Sequence, residues 1–492
     1  MSSADTGTLP VPPRTGIIPA KDMAVIWVLL SAAFVAILNE TTMAIAIPHL
    51  IHDLSISPIA AQWVTSAFML TMAVVIPITG FLLRRFTTRQ MFLAAISLFS
   101  AGTLLAALAT GFPMLLGARV VQASGTAVMM PLLMTTIMEL VPAASRGRMM
   151  GRVSVVISLA PAIGPTLSGF LLDHFGWRAI FFVVLPIALV AMLIGWRWLT
   201  DVGESVQAPI DVLSIVLSAF GFGGLVFGLS QIGGLGSSSG TLQMVIALAF
   251  GVVGLGLFLW RQVVLQRRDD ALLDLRVFAS RDFTLSIVQM FLLSLAFFGS
   301  ITVIPLYLQN ALRLTALEAG LVALPGALAM GLLGPVIGRI YDQRGTRILL
   351  IPGSVLAAAM LWVFTTVTTG TPVWLVLVAQ TALSVGLALS FTPLFTASLA
   401  SLKRRFYSYG SAVVGTVQQV AGAAGIAVMM AVFTTVSASG GGTDAPVAVA
   451  AGARASLLIG AVIATVTIIG AFLIRKPADD LEDADGQAPI GH

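Results

Sequence analysis

Residues 60–89 read AAQWVTSAFMLTMAVVIPITGFLLRRFTTR, a predominantly apolar run that ends in an arginine-rich turn. No charged residue occurs before Arg84, and Arg85 and Arg89 follow directly. A helix rises about 1.5 Å per residue, so about 20 apolar residues cross the hydrocarbon core of a bilayer. The stretch therefore predicts a transmembrane helix with one end marked by positive charge.

The same pattern recurs along the whole chain and predicts an all-α integral membrane protein. Runs of this length are not typical of a soluble helical protein. Fourteen spans are predicted, at residues 24–48, 60–83, 91–110, 113–138, 149–172, 179–199, 211–232, 243–264, 283–309, 317–340, 348–369, 373–397, 410–436 and 454–474.

Positive charge sorts to one side of these spans. If the N-terminus is cytoplasmic, all but four of the 26 lysines and arginines lie on the cytoplasmic side. The exceptions are Arg119 within a span and Arg178, Arg313 and Arg454 on the other side. Gaining or losing one helix would move every later loop to the wrong side, so the charges support the span count and place both termini in the cytoplasm.

Composition agrees with a membrane protein and excludes other classes. The chain of 492 residues is 58% hydrophobic and only 10% charged, with a mean hydropathy of +1.01. The sequence pI of about 10.1 does not indicate a nucleic-acid partner, because the cations are spread over the loops and form no basic patch. The chain has no cysteine, and His49 and His52, three residues apart, make a poor metal site by themselves, so the sequence predicts no metal site.

The organisation is six spans, two spans, then six spans. We expect a disordered tail at 1–22, a bundle at 23–199, two inserted helices with their links at 200–282, a second bundle at 283–475 and a tail at 476–492. The loop after the second span, 80–89, and the loop after the tenth, 338–347, both open with Gly and end in Thr-Arg at the same spacing. Such an echo is typical of transporters built from two similar halves.

Several motifs resemble those of a known family. The fourth span carries Arg119-Val-Val-Gln-Ala-Ser-Gly, and the fifth carries Ala160-Pro-Ala-Ile-Gly-Pro-Thr-Leu-Ser-Gly. With the 338–347 loop, Trp177-Arg178 and Leu38-Asn39-Glu40-Thr41, they resemble the major facilitator superfamily. Within it, the chain is similar to the fourteen-span drug:proton antiporter branch, close to lincomycin-resistance-type multidrug exporters.

The sequence also departs from the family pattern. Asn39 stands where the family usually has Asp, with Glu40 one residue further and about 100° round the helix. In the first-half loop, Arg84 replaces an Asp and Thr87 a Gly, and Ala123 replaces a Gly of the fourth-span motif.

The resemblance implies a major facilitator fold of two six-helix bundles with two extra helices between them. It also implies a proton-coupled antiporter, not an enzyme, that exports amphipathic, lipophilic or cationic small molecules from a bacterial cell across its inner membrane. No ATP-binding G-x-x-x-x-G-K-[ST] motif occurs, so an ion gradient is the expected energy source and no cofactor is expected. The expected partners are a small-molecule substrate, protons and lipid, with the protein acting as a monomer. An exporter of a lipid or siderophore and an importer of a defined solute remain alternatives.

Two ionisable side chains are expected well inside the bilayer, Glu40 and Arg119. A charge there costs about 2.5–3.5 kcal/mol even on lenient scales. At 1.5 Å per residue, Glu40 lies about 24 Å beyond the inner end of its span and Arg119 about 9 Å below the outer end of its own, so both are in the outer half. We predict that Glu40 carries the proton and that Arg119 assists it. A static ion pair that joins spans one and four, and an Arg119 that extends to the outer interface, are the alternatives.

Further residues are candidates for gating and for substrate contact. The prolines and glycines of span five predict a bent, closely packed helix, and Asp342 within an arginine cluster predicts a cytoplasmic latch. The gating candidates are Pro161, Gly164, Pro165, Gly169, Asp342, Arg339 and Arg347. The candidates for substrate contact, polar or aromatic groups that suit a water-lined cavity, are Asn39, Gln122, Phe34, Trp63, Phe68, Gln289, Phe297, Gln380, Gln418 and Gln419.

Overall fold

The computed structural model describes residues 19–201, 211–231, 238–442 and 445–474. Within these ranges all regular structure is helical, and thirteen segments are long and apolar enough to cross a membrane. Helix α5, with 30 residues, completes the fourteen predicted spans. The long helices are α1 (Ala20–Asp53), α2 (Pro58–Arg85), α3 (Thr88–Ala107), α4 (Phe112–Leu140), α5 (Arg146–Phe175), α6 (Arg178–Trp198), α7 (Val212–Ser230), α8 (Ser238–Leu265), α9 (Arg281–Asn310), α10 (Ala316–Arg344), α11 (Arg347–Phe364), α12 (Val373–Ala400), α13 (Tyr407–Ser439) and α14 (Pro446–Leu473).

Local sequence sets the helix ends. Helix α2 begins with Pro58 directly after Ser57, whose side chain accepts a hydrogen bond from the Ala60 amide. Helix α3 begins with a capping box in which Thr87 and Gln90 each accept a hydrogen bond from the other's backbone amide. Both devices satisfy amide groups that have no partner within the helix. They allow the short turns that reverse the chain between spans.

Helices α1–α6 pack into one bundle and α9–α14 into a second. We call the end where α2 and α10 finish and where α5 and α13 begin the arginine-rich end. Toward this end, the buried apolar side chains of both bundles form one continuous cluster. At the opposite end, the α1–α6 bundle has a separate core around Trp177 and Phe181. The two bundles are therefore joined most closely at the arginine-rich end.

The two inserted helices form a hairpin against α2 and α13. Glycines make the α7–α8 contact close: a Cβ on Gly224 would lie 2.8 Å from the Gly251 backbone, and one on Gly221 would lie 2.8 Å from the Leu255 nitrogen. The Phe227 ring of α7 stacks on Trp63 of α2, with centroids 5.5 Å apart. The link at 202–210 and the turn at 232–237, which the sequence predicts between these spans, lie outside the described residues.

Polar contacts fix the base of this hairpin at the arginine-rich end. The Arg261 guanidinium donates to both oxygens of Asp211, at 2.6 and 2.8 Å. These hydrogen bonds, with a further one from Ser214, lower the pKa of Asp211 to about 2. Because that carboxylate stays ionised at every pH above about 4, the ion pair stabilises the hairpin throughout the physiological range and is lost only in strong acid.

Candidate transport site and gate

Arg119 is fully buried among polar and aromatic groups of α2, α3 and α4. Its Nη1 donates to Gln122 Oε1 at 2.6 Å, and its Nε donates to the Val64 carbonyl at 3.4 Å. The guanidinium lies 4.1 Å from the centre of the Phe68 ring. These contacts disfavour the alternative in which Arg119 extends to the outer interface.

The second contact of Gln122 reaches the neighbouring helix. Its Nε2 donates to Thr103 Oγ1 of α3 at 2.7 Å, and the Thr103 hydroxyl donates to Phe99 O at 2.7 Å. Small residues allow this approach, because a Cβ on Gly102 would overlap the Gln122 backbone. Thr103 and Gln122 therefore fix the position of the Arg119 guanidinium through a buried hydrogen-bonded chain.

Glu40 lies half-buried in α1, and Arg119 is the cation that acts on it electrostatically. Among the described residues, no direct ion pair or hydrogen bond joins the two side chains. This argues against the static ion pair that the sequence left open. Among the described residues, the Glu40 oxygens have no hydrogen-bonding partner and can accept a proton or bind a cation.

The neighbours of Glu40 pack α1 against α5. A Cβ on Gly164 would overlap the Thr41 hydroxyl, and Ser168 Oγ donates to the Thr42 carbonyl at 2.9 Å. Helix α5 is thus in contact with the residue directly after Glu40. On the other side of Glu40, both amide atoms of the fully buried Asn39 lack a hydrogen-bonding partner among the described residues.

The other candidates for substrate contact in the first bundle do not lie together in one site. Phe68 lies beneath Arg119, and the Gln122 amide is occupied by Arg119 and Thr103. Trp63 stacks on the inserted hairpin. Phe34 is partly buried against the main core. Of these side chains, Phe68 and Gln122 are the two that contact the buried cation.

In the second bundle, aromatic rings from α9 and α12 form a cluster. Phe297 lies 5.1 Å from Phe298 and 5.9 Å from Phe391, and Phe391 lies 6.5 Å from Phe395, measured between ring centroids. Phe297 is half-buried. The group is large, apolar and partly accessible, a surface that suits amphipathic ligands.

The glutamines of this bundle differ in their contacts. Gln380, Gln418 and Gln419 are half-buried, and the Gln380 carbonyl oxygen has no partner among the described residues. Gln419 Nε2 lies 3.6 Å from the Met72 sulfur across the bundle interface. Gln289, in contrast, is buried between α9 and α14, where it donates to the Thr467 carbonyl at 2.7 Å. Its amide joins helices within one bundle, so we leave it out of the candidate substrate site.

Asp342 joins the two bundles at the arginine-rich end. Its carboxylate accepts hydrogen bonds from the backbone amides of Gly147 at 2.7 Å and Arg148 at 3.0 Å, and Arg148 Nε lies 3.4 Å away. These amides belong to the first turn of α5, where unpaired N–H groups and the helix dipole attract an anion.

Glycines bring α5 and α10 into backbone contact beside Asp342. A Cβ on Gly338 would overlap the Gly147 carbonyl oxygen, and one on Gly151 would overlap Gly334. Further along the same helices the contact loosens, since a Cβ on Gly331 would lie 3.4 Å from that of Ser158. The two helices are thus tightly closed at the arginine-rich end and diverge from it.

Other hydrogen bonds close the same end. Arg84 Nη1 of α2 donates to the Tyr409 hydroxyl of α13 at 2.8 Å. The Thr135 and Ser411 hydroxyls are 2.7 Å apart, and the Ser154 and Thr392 hydroxyls are 3.0 Å apart. Each pair joins one bundle to the other. The structure therefore represents a state closed at the arginine-rich end.

The other gating candidates need correction or lack contacts. The two arginines grouped with Asp342 have other surroundings: Arg347 donates to the carbonyls of Phe472 at 2.5 Å and Ile474 at 3.3 Å, and so caps α14, while Arg339 is exposed. Pro161 is exposed, and a Cβ on Gly169 would meet no atom within 4 Å. The side chain of Pro165 lies outside the described residues.

Sequence reasoning missed Thr103, Arg148 and Tyr409. The signal for Arg148 was present, because α5 starts in an arginine-rich turn whose free amides suit the only acid of the 338–347 loop. Thr103 and Tyr409 carry no such signal, since their roles depend on which helices meet.

We expect Thr103→Val to weaken proton-coupled transport by about fivefold, because losing one buried hydrogen bond between membrane helices costs about 1 kcal/mol. Valine keeps the shape of threonine but leaves Gln122 Nε2 without an acceptor, so Arg119 loses its fixed position. Thr103→Ser, which keeps the hydroxyl, is the matched control. Equal gradient-driven transport by the two variants in membrane vesicles would contradict this role.

Comparison with known proteins reveals close relatives. A sequence profile of the Major Facilitator Superfamily matches residues 29–426. The chain is 39% identical over 459 residues to YcnB of Bacillus subtilis (strain 168), an uncharacterized MFS-type transporter, covering 93% of this chain and 96% of that one. It is 38% identical over 454 residues to the lincomycin resistance protein LmrB of Listeria monocytogenes, covering 91% and 95%.

Among solved structures, the proton:xylose symporter XylE has a TM-score of 0.65 at 15% sequence identity. The match covers 95% of this chain and 100% of XylE. The likeness confirms the predicted major facilitator fold. The relatives confirm a multi-pass membrane transporter, not an enzyme, of the type to which lincomycin-resistance exporters belong.

Proposed function

Because the chain belongs to the Major Facilitator Superfamily, we propose that it is a proton-coupled antiporter that exports amphipathic or cationic drugs by alternating access. The observation that carries this proposal is Glu40, a half-buried carboxyl group in α1 that is influenced by the buried Arg119 but not paired with it. A charge in a bilayer-spanning helix is costly and is typical of ion and substrate pathways.

Glu40 exchanges a proton for the drug in this mechanism. When water reaches the site from the outside, Glu40 takes up a proton, and when water reaches it from the inside, the proton leaves. A cationic or polar drug competes with the proton for the same carboxylate. Arg119, positioned by Gln122, stabilises the ionised form when the drug is absent. The cycle therefore links outward movement of the drug to inward movement of protons.

The membrane orientation follows from the charges. We place the arginine-rich end and both termini in the cytoplasm of a bacterial cell, since short loops rich in Lys and Arg stay inside. The structure is then closed toward the cytoplasm, with Asp342 and the glycines of α5 and α10 as the gate. The protein works as a monomer in which residues 23–199 and 283–475 rock against each other around 200–282.

The substrate class rests on chemistry and on a relative. Phe297, Phe298 and Phe391 offer aromatic surface, while Asn39, beside Glu40, has unused donors and an acceptor. Such a site accepts apolar rings and a polar or cationic group. LmrB, by its name, confers lincomycin resistance. We infer drugs of this amphipathic kind as substrates.

The test is transport into everted membrane vesicles under an imposed pH gradient, with labelled lincomycin and ethidium as probes. We expect accumulation that requires an acidic vesicle interior and stops when the gradient is collapsed. Accumulation without a gradient dependence would contradict proton coupling. Gradient-driven movement in the opposite direction would indicate an importer of a defined solute. Competition by a lipid or a siderophore, but not by drugs, would indicate an exporter of those compounds.

A further inference from the structure

The connection from α8 to α9 is bound to the bundles at several points. We call residues 269–276 the strap. Its residues 271–274 are buried. Gln262 of α8, itself fully buried, accepts hydrogen bonds on Oε1 from the amides of Leu272 at 2.8 Å and Leu273 at 3.1 Å, and donates to Ser214 of α7 at 2.8 Å. The inserted hairpin thus holds the strap in a fixed position.

The strap contacts the seam where α2 meets α13. Tyr409 of α13 donates its hydroxyl hydrogen to the Ala271 carbonyl at 3.0 Å, and the same hydroxyl accepts from Arg84 of α2 at 2.8 Å. One side chain therefore joins the hairpin's strap to both bundles. Further along, Ser280 Oγ donates to the carbonyl of Ser401, directly after α12, at 3.2 Å.

The α2–α13 seam carries a positive charge where the corresponding α5–α10 seam carries a negative one. At the α5–α10 seam, Asp342 places an anion at the first turn of α5. Arg84 is four residues after Gly80, as Asp342 is four residues after Gly338, so a cation occupies the matching place near the first turn of α13. A helix N-terminus disfavours a cation, and Arg405 adds positive charge nearby.

The strap brings acids to this place. Asp274 is almost fully buried and accepts hydrogen bonds from Arg276 Nε at 3.0 Å and Nη2 at 2.6 Å. Its charge acts on Tyr409. Asp269 is exposed and is bound by Arg276, and both Arg84 and Arg405 act on it electrostatically. Two carboxylates against the one guanidinium of Arg276 thus add net negative charge beside the cations around the start of α13.

We propose that the strap is a third latch of the cytoplasmic gate, in which Asp274 and Asp269 replace the acid that position 84 lacks and the α7–α8 hairpin anchors the strap across the α2–α13 seam. The proposal rests on the alternating-access function proposed above. It gives the two inserted helices a role in gating, because opening toward the cytoplasm requires Tyr409 to leave Ala271 and Arg84. The hairpin then sets how stable the closed state is.

Cysteine cross-linking tests the latch without any substrate. The natural chain has no cysteine, so the pair Ser154→Cys and Thr392→Cys reports closure of the gate directly. The hydroxyls of these residues are 3.0 Å apart. We expect Asp274→Asn to lower the rate of disulfide formation in membranes by about fivefold, the effect of weakening one buried charged contact. Asp270→Asn, which neutralises a neighbouring acid of the strap, should leave the rate unchanged.

A rescue variant separates the latch from general loss of stability. In the Asp274→Asn background, Arg84→Asp removes the Arg84–Tyr409 hydrogen bond but returns an acid that the first-turn amides of α13 can bind, as those of α5 bind Asp342, and it should restore cross-linking. Tyr409→Phe, which keeps every charge, should slow cross-linking as Asp274→Asn does. An unchanged rate in both Asp274→Asn and Tyr409→Phe, or no rescue by Arg84→Asp, would overturn the proposal. If drug transport fails its own test while these rates behave as expected, the proposed function fails and the latch stands.

Discussion

Glu40→Gln is expected to abolish proton-driven drug accumulation in everted vesicles, down to the level of vesicles without the protein. Glutamine keeps the size and polarity of the side chain but can neither release nor bind the coupling proton. Because Glu40 has no hydrogen-bonding or ion-pair partner among the described residues and glutamine is of nearly the same size, the protein should reach the membrane in normal amounts.

The matched control for this prediction is Glu318→Gln. Glu318 is an exposed carboxylate in the first turn of α10, where it accepts a hydrogen bond from the Thr315 amide at 2.8 Å. The substitution Glu318→Gln also removes one negative charge, but it lies outside the proposed proton site, so transport should persist. Gradient-coupled accumulation by Glu40→Gln at the rate of the natural protein would refute the role of Glu40.

Gly338→Ala is expected to reduce transport by about tenfold or more, because forcing one methyl group into a close-packed contact costs about 1–3 kcal/mol. The added Cβ would overlap the carbonyl oxygen of Gly147, so α10 could not close on α5 at the arginine-rich end. A transporter that cannot close one gate cannot complete its cycle, even with Glu40 intact.

Gly320→Ala is the control on the same helix, since a Cβ there would meet no atom within 4 Å. It should transport normally. Disulfide formation between cysteines placed at positions 154 and 392 (Ser154→Cys with Thr392→Cys) should slow in Gly338→Ala and not in Gly320→Ala. If both glycine variants transport equally well, the close α5–α10 contact is not required for the cycle.

The span count and the fold could be predicted from the sequence because bilayer thickness and charge sorting act on each helix separately. The expected start of the first bundle at residue 23 is three residues later than α1, which begins at Ala20 directly after Pro19. The depths of Glu40 and Arg119 follow from the rise of a helix alone. The roles of these two side chains remain predictions.

The contacts between bundles could not be predicted in the same way, because they depend on which helices meet. Asp342 was expected to act with Arg339 and Arg347, which are close in sequence, yet it binds the first turn of α5 nearly 200 residues away. Gln289 was expected in a cavity because it is polar, but another helix of its own bundle supplies its acceptor. Short-range proximity and polarity were weaker guides than tertiary packing.

The burial of the strap is another feature that could not be predicted from the sequence. Asp274 lies in a link whose mixed charges are typical of any cytoplasmic loop, so its burial could not be expected from the residues around it. Its position depends on the α7–α8 hairpin and on Gln262, which binds the strap backbone.

The most direct test of the central claim is the release of protons when the drug binds. Lincomycin or ethidium is added to the purified protein in a weakly buffered solution, and the pH is followed with an indicator dye. The natural protein should release protons on drug addition, because the drug displaces the proton from Glu40, and Glu40→Gln should release none even at drug concentrations raised until the variant binds it. Equal proton release by the two proteins, or drug binding by the natural protein without any release, would contradict the account.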